Sequence, residues 1–338
     1  MFASDYPGAA EFDADQPFPV IRHPRAMLLP TPAVARRAAA LVGEYDCTAA
    51  WFGAAAPLAL MAPSLRRAGV QRIVATTHGH EVAWTLLPGA RAALRRIGTT
   101  CDVVTYLGEY TRRRLAPSLG PNAVLGQLTP GVDITRFDPA VSGSAVRDRY
   151  GLGQRPVIIC VSRLVPRKGQ DALIRALPAI RARVPEAALL IVGSGPFRTT
   201  LERLVTRTAM SGHVVFTGAV DEAELPAHFA AGDVFAMPCR TRRAGADVEG
   251  LGIVYLEASA TGLPAVAGNS GGAPDAIRAG RTGYVVDGRD TAAIADAITG
   301  LLLDPALGRR MGQTGREWVE QSWQWQTMAD RLRGLLEG

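Results

Sequence analysis

Lysine is almost missing from this 338-residue chain: Lys168 is the one lysine among 37 Lys and Arg side chains. GC-rich coding produces such a bias. A lone ammonium amid guanidinium groups also hints that a compact cation is wanted at that position, since the two differ in shape and hydration. Cysteine is scarce too. Cys47, Cys101, Cys160 and Cys239 are scattered and form no CxxC pair, which argues against a disulfide framework or zinc site and for buried free thiols in a reducing compartment. Aromatic residues make up 6% and the basic residues are dispersed, so no stacking platform for nucleic acid is visible. The longest apolar stretch, Trp51–Pro63, has 13 residues, too short to span a bilayer. The acidic start MFASDYPGAAEFDADQ carries no apolar h-region of a signal peptide.

What is present suits a large α/β protein. Hydrophobic residues make up 48%, and the length allows two domains with a core each. Thirty-six glycines and 23 prolines are many for a helical bundle and too few for a low-complexity chain. The net charge of +6 invites anionic partners without choosing among them.

Short aliphatic runs read as strands at Ala49–Phe52, Arg72–Thr77, Asp102–Leu107, Val157–Ser162, Ala187–Val192, Val214–Thr217, Val234–Met237, Pro264–Ala267 and Gly283–Val286. Helix-length segments lie between them, among them Pro57–Ala68, Gln170–Val184, Thr199–Ala209 and Gly250–Ala260. Such alternation predicts parallel sheets covered by helices on both faces. The turn-rich PGVDITRFDPAVSG (130–143) breaks the pattern. It places a linker at 134–143 between a first domain, 1–133, and a second, 144–315. The tail 316–338 carries Trp318, Trp323 and Trp325 before a helical stretch. It reads either as a helix crossing back to the first domain or as one that completes the second core. Parallel sheets bind ligands beyond the carboxyl ends of their strands, so the loops after strands are where chemistry is expected, facing a cleft between the domains.

Four such loops stand out. In SRLVPRKGQD (162–171), Arg163 and Lys168 flank a turn that opens a helix. Two cations beside a helix N-terminus suit a diphosphate; a solvated basic turn would look the same, with Lys168 a solvent-facing cation. In DVEGLGIVYLEA (247–258), Glu249 and Glu257 are eight apart. A helix starting near Gly250 would put both on one side, about 12 Å apart, where they can hold the two ends of a sugar nucleotide. A capping and a surface glutamate are the plainer reading. Gly250 and Gly252 would let a ligand approach the amides at that helix start.

In TTHGHE (76–81), His78 stands at a strand end. It reads as a hydrogen-bonding site histidine or a structural one. His-x-His-Glu could suggest a metal site, but beyond His78 and His80 no further His or Cys lies nearby, and zinc wants three or four ligands. In NSGGAPD (269–275), Gly271 and Gly272 precede a proline near a helix start, which fits a turn approached by an anion or a sugar. GSGP (193–196) has only part of a dinucleotide fingerprint and reads as a structural turn.

Taken together, these segments closely resemble the retaining glycosyltransferases of family 4, whose GT-B fold has two Rossmann-like domains with parallel sheets. The resemblance runs from about residue 20 to the C-terminus. Three stretches, WFGAAAPLALMA (51–62), THGHEVAW (77–84) and SRLVPRKGQD, are similar to an actinobacterial branch that uses GDP-mannose to extend phosphatidylinositol monomannoside, the second step of phosphatidylinositol mannoside synthesis.

The resemblance implies roles. Arg163 and Lys168 hold the donor diphosphate and stabilise charge on the departing GDP. Glu249 contacts the mannose and Glu257 the ribose, while the amides of Gly252, Ile253 and Val254 touch phosphate. Ala219 and Val220 line the guanine pocket, Gly271 and Gly272 help hold the donor, and His78 orients the mannose. It implies no metal and no other cofactor, and no nucleic-acid partner. It implies a cytoplasmic enzyme peripheral to the inner face of the plasma membrane. Arg91, Arg95 and Arg96, with Arg112, Arg113 and Arg114, would face anionic headgroups at about 1 kcal/mol per cation, unless they are ordinary solvated helix faces. Relatives begin with a strand, a Gly-Gly loop and a long helix. This chain is expected to enter at their second strand, MFAS (1–4), leaving the first domain incomplete at its N-terminus. Asp275 stands where relatives often carry Glu. Two other readings stay open: another family-4 enzyme with a different donor or acceptor, and a truncated, inactive nucleotide-binding remnant.

Overall fold

The computed structural model describes residues 1–338. They form two compact units. One comprises residues 1–106, 112–128 and 331–338, the other 107–111 and 129–330.

In the first unit, β1 (Phe2–Ser4), α1 (Ala9–Ala14) and β2 (Ile21–His23) make a two-stranded parallel sheet. Helix α2 (Pro32–Glu44) follows, with Pro32 at its first turn and the Thr31 hydroxyl accepting from the Val34 N–H at 3.3 Å, a normal N-cap. Then come β3 (Ala49–Phe52), α3 (Ala62–Arg67), β4 (Arg72–Thr76), α4 (Pro88–Thr100), β5 (Val103–Tyr106), α5 (Glu109–Leu119, whose first three residues belong to the second unit) and β6 (Leu125–Gln127). Strands β3 to β6 lie side by side in chain order, all parallel. Ile73, Val74 and Ala75 are buried in the centre of this sheet. Gly98 lets α4 approach closely: a Cβ there would strike the Leu119 carbonyl.

The second unit runs α6 (Ser144–Arg149), β7 (Val157–Val161), α7 (Gln170–Arg183), β8 (Ala188–Val192), α8 (Arg198–Arg207), β9 (Val214–Gly218), α9 (Leu225–Ala230), β10 (Val234–Met237), α10 (Ile253–Ala260), β11 (Ala265–Gly268), β12 (Gly283–Val286), α11 (Thr291–Leu303), α12 (Pro305–Ser322) and α13 (Trp325–Glu337). The last two turns of α13 belong to the first unit. The six strands form one parallel sheet in the order β12-β11-β10-β7-β8-β9. Every residue of β7, β8, β10 and β11 is buried, as the unbroken aliphatic runs require.

The α/β class expected from the sequence is what is found, and the predicted strands fall within a residue of their observed ends. β1 lies in MFAS, expected as a strand from the resemblance, whereas β2 and β6 went unpredicted: at three residues each, they are too short to show a period. The segment Pro57–Ala68 is not one helix but a 3₁₀ turn, Leu58–Met61, leading into α3. The tail lies against the segment read as a linker. Val132 N–H donates to the Trp323 carbonyl (2.7 Å), and Arg316 donates to the carbonyls of Ile134 and Phe137 (3.0 and 2.7 Å). Cys101, Cys160 and Cys239 are buried as expected, but Cys47, in the turn after α2, is exposed.

Candidate functional site

Strand order decides where the site sits. The chain builds β7, β8 and β9 to one side, then returns to place β10, β11 and β12 on the other. The loops after β7 and β10 therefore leave the sheet side by side at the reversal point, the usual ligand position in such sheets. The loop after β11 is their next neighbour.

Those three loops carry most of the residues singled out in the sequence. Lys168 lies at the end of a 3₁₀ turn, Pro166–Lys168, and its Nζ stands 2.6 Å from Glu249 Oε2. Lys168 is 9% exposed and Glu249 6%, so Lys168 is not the solvent-facing cation expected: it is folded inward onto its counter-charge. Arg163, five residues earlier, keeps its guanidinium exposed and unpaired. Between them the turn is held from below. Gln170, fully buried, donates Nε2–H to Ser162 Oγ (2.8 Å) and to the Arg163 carbonyl (3.0 Å). The Arg240 N–H donates to the Arg167 carbonyl at 2.9 Å. Arg240 Nη2 also reaches Asp171 Oδ1 at 2.7 Å, and Arg175 takes the other oxygen at 2.5 Å. Gly169, at φ +82°, turns the chain into α7 against the Pro238 carbonyl, where no Cβ fits.

The two glutamates are not placed as the sequence suggested. Helix α10 begins at Ile253, not near Gly250, because Gly252 adopts the left-handed conformation (φ +80°) and starts the helix after it. Glu249 therefore lies in the preceding loop, and the shared helix face does not exist. Ile253 and Val254 open α10 with N–H groups that have no intrahelical acceptor. Glu257, one turn inside α10, is half-buried, and its Oε2 has no hydrogen-bond partner. Burial pushes its carboxyl up to about 7; nearby Arg136 lowers it and Glu222 raises it.

Gly271 and Gly272 fit tightly under the Glu249 loop. A Cβ on Gly271 would strike the Glu249 carbonyl and one on Gly272 that of Gly250, and the Gly272 N–H donates to the Glu249 carbonyl at 2.8 Å. These glycines let two backbones touch, and one amide is spent within the protein. Val220 lies half-buried after β9 against the core, with Ala219 exposed beside it. Asp275 accepts from the Tyr110 N–H at 3.3 Å.

In the first unit, His78 follows β4, and its Nε2 lies 2.5 Å from the Gly53 carbonyl oxygen after β3. Its own N–H donates to Glu81 Oε2 at 3.0 Å. His80 stands next to it with rings nearly parallel, 6.3 Å between centroids. No three His, Cys, Asp or Glu side chains converge as a metal would require. Reading by motif missed Gln170, Asp171, Arg240 and Glu81. Each is a polar residue with almost no exposure or an internal partner, and its signal, a charge or amide beside an apolar run, becomes legible only once burial is known.

Residues 145–318, just over half the chain, match the family described as glycosyl transferases group 1. The fold is GT-B, and the chain belongs to that glycosyltransferase family. It is 57% identical over its whole length to the GDP-mannose-dependent alpha-(1-6)-phosphatidylinositol monomannoside mannosyltransferase of Mycolicibacterium smegmatis, covering 90% of that protein. It is 48% identical over 97% of its length to the Corynebacterium glutamicum enzyme described as acting on monoacylated alpha-(1-6)-phosphatidylinositol monomannoside, covering 86% of it. Among solved structures, a glycosyltransferase from Rickettsia africae superposes with a TM-score of 0.83 at 17% identity, over 99% of this chain and 89% of that one.

Proposed function

We propose that this chain moves mannose from GDP-mannose to phosphatidylinositol monomannoside with retention of anomeric configuration. The observation that carries this reading is the buried Lys168–Glu249 pair at the sheet's reversal point, in a chain whose full-length relatives are GDP-mannose-dependent mannosyltransferases.

The residues divide the work by chemistry. Arg163, exposed and unpaired, and Lys168 receive the diphosphate, one as a planar fork and one as a point charge. The first amides of α10, from Gly252, Ile253 and Val254, add donors to a phosphate. Glu257 accepts from the ribose hydroxyls, and Val220 lines the base. Glu249 accepts from a mannose hydroxyl while Lys168 holds its other side. Gly271 and Gly272 serve the donor by shaping the Glu249 loop. In the first unit, His78 offers its ring to a sugar hydroxyl. The acceptor hydroxyl oxygen bonds to the mannose anomeric carbon on the face that GDP leaves, the bond to the diphosphate oxygen breaks, and the departing diphosphate takes the hydroxyl proton. The cations stabilise charge as it grows on that oxygen. No covalent nucleophile, metal or other cofactor is part of this scheme.

The acceptor is a lipid, so the enzyme works as a peripheral protein on an anionic, cytoplasmic membrane face. No single helix is long and apolar enough to cross a membrane. Leu86 and Leu87, 53% and 61% exposed, stand just before α4, which carries Arg91, Arg95 and Arg96. Exposed leucines beside basic residues suit shallow seating on anionic lipid. Arg95 also donates to the Pro117 carbonyl at 3.2 Å, which leaves Arg91 and Arg96 as the freer cations of that cluster.

Transfer of labelled mannose from GDP-mannose to purified phosphatidylinositol monomannoside, with alkali-resistant linkage analysis, tests the activity. Transfer from a UDP-sugar instead, or to a soluble acceptor alone, overturns the assignment. GDP binding without turnover identifies an inactive nucleotide-binding protein. Co-sedimentation stronger with phosphatidylinositol vesicles than with neutral ones supports the membrane reading, and equal binding removes it.

A further inference from the structure

Glu81 is fully buried. A carboxylate taken out of water is costly unless its oxygens are matched, so its surroundings show what it is held for. Oε2 accepts the His78 N–H at 3.0 Å, and Oε1 lies 3.4 Å from His80 Nε2. The turn that brings all three together needs Gly79 in the left-handed conformation, φ +89°. It is pinned upstream by Thr77, whose hydroxyl donates to the Thr105 carbonyl at 2.7 Å. Glu81 thus holds the backbone of His78 through Oε2, while Oε1 faces the His80 ring without a hydrogen bond; the His80 ring in turn lies parallel to that of His78.

The Gly53 contact then settles which way His78 works. A carbonyl oxygen only accepts, so at 2.5 Å the proton sits on His78 Nε2. With Nε2 as the donor, the acceptor of a neutral imidazole is Nδ1. Nothing in the motif THGHE distinguishes this tautomer; only the meeting of the β3 and β4 loops does.

We propose that Glu81 is a positioning residue: through the His78 backbone N–H it holds the His78 imidazole with Nε2–H on Gly53 and Nδ1 presented to accept from a sugar hydroxyl. This rests on the mannosyl-transfer reading for what Nδ1 receives, but not for the tautomer.

The test uses the full chain. Long-range nitrogen–proton NMR of the histidine rings reads the tautomer without any turnover. The wild type gives an Nε2–H ring for His78, and Glu81→Ala gives a mixture of tautomers. An Nδ1–H ring in the wild type overturns the proposal, whatever the activity. In mannose transfer, Glu81→Ala lowers kcat about tenfold or more while the KM for GDP-mannose stays within about twofold. Glu81→Gln, which keeps an acceptor for the His78 N–H and is the safer variant to fold, loses less. In a His78→Ala background, Glu81→Ala costs nothing further, since a residue acting through His78 has nothing left to position. Full additivity, or equal losses in thermal stability and kcat for both glutamate variants, overturns the proposal. Absence of wild-type transfer with the Nε2–H ring intact defeats the functional reading alone.

Discussion

Lys168 and Glu249 meet at 2.6 Å with side-chain exposures of 11% and 7%, so each is the other's counter-charge in a nearly dry site. Removing one member strands the other, a loss of about 3–5 kcal/mol for a buried pair. Lys168→Ala is therefore expected to lower both stability and turnover, whereas loss of a surface cation would spare the fold. The Lys168→Met, Glu249→Gln double variant recovers most of the stability and none of the transfer. Denaturant unfolding beside the transfer assay reads both. A double variant as unstable as Lys168→Ala would remove the ion-pair account.

Glu249→Gln separates sugar from nucleotide. GDP lacks the mannose, so its affinity should change by less than about threefold, under 1 kcal/mol, while transfer falls far more. Calorimetry with GDP set against the transfer rate decides this. Equal losses would contradict a contact with the sugar.

Glu257 carries a carboxyl raised to about 7 by burial. A carboxyl raised above its ordinary value favours the folded state most when protonated, and that contribution is lost as pH climbs through about 7. Ligand binding runs the opposite way, since a ribose hydroxyl is best accepted by the ionised form. GDP-mannose, whose diphosphate diester does not titrate in this window, should bind more tightly at pH 8 than at pH 6. Glu257→Gln should flatten that dependence, as calorimetry at the two pH values shows. A slope surviving in Glu257→Gln assigns it elsewhere.

The thiols should divide sharply. Burial holds Cys101 and Cys160 at about 12 and Cys239 at about 11, whereas Cys47 is exposed. Thiolate is the reactive form, so iodoacetamide on the native protein at neutral pH should label Cys47 and leave the other three. Peptide mass mapping checks it; early labelling of Cys160 or Cys239 would mean that the core of the second unit opens easily.

Gly169→Ala should cost about 2 kcal/mol or more, because an L-residue is strained at φ +82° and its Cβ meets the Pro238 carbonyl. Gly151→Ala, also at positive φ (+61°) but with open space around its Cβ, should cost less. The difference between the two melting curves measures the contact.

Much of this was legible beforehand for a physical reason. Buried parallel strands must be continuously apolar, so Val157–Val161 or Val234–Met237 declare themselves. The stretches around Lys168 and Glu249 do so by charge next to glycine. Short edge elements such as Leu125–Gln127 carry no such signal. The start of α10 was misjudged because Gly250 and Gly252 are equally plausible helix starts on paper, and only the backbone conformation at Gly252 chooses between them.

The amino-acid order alone determined the α/β class, the polar glycine-rich loops that follow the strands and the family resemblance, because period, charge and turn residues act over a few neighbours. Tertiary structure decided that Lys168 faces inward onto Glu249, that Glu249 sits in a loop, and that Glu81 and Gln170 are buried beneath the turns that hold His78 and Arg163. Burial and pairing depend on residues far apart in the chain, brought together by the order of strands in the sheets, and no local pattern encodes that order.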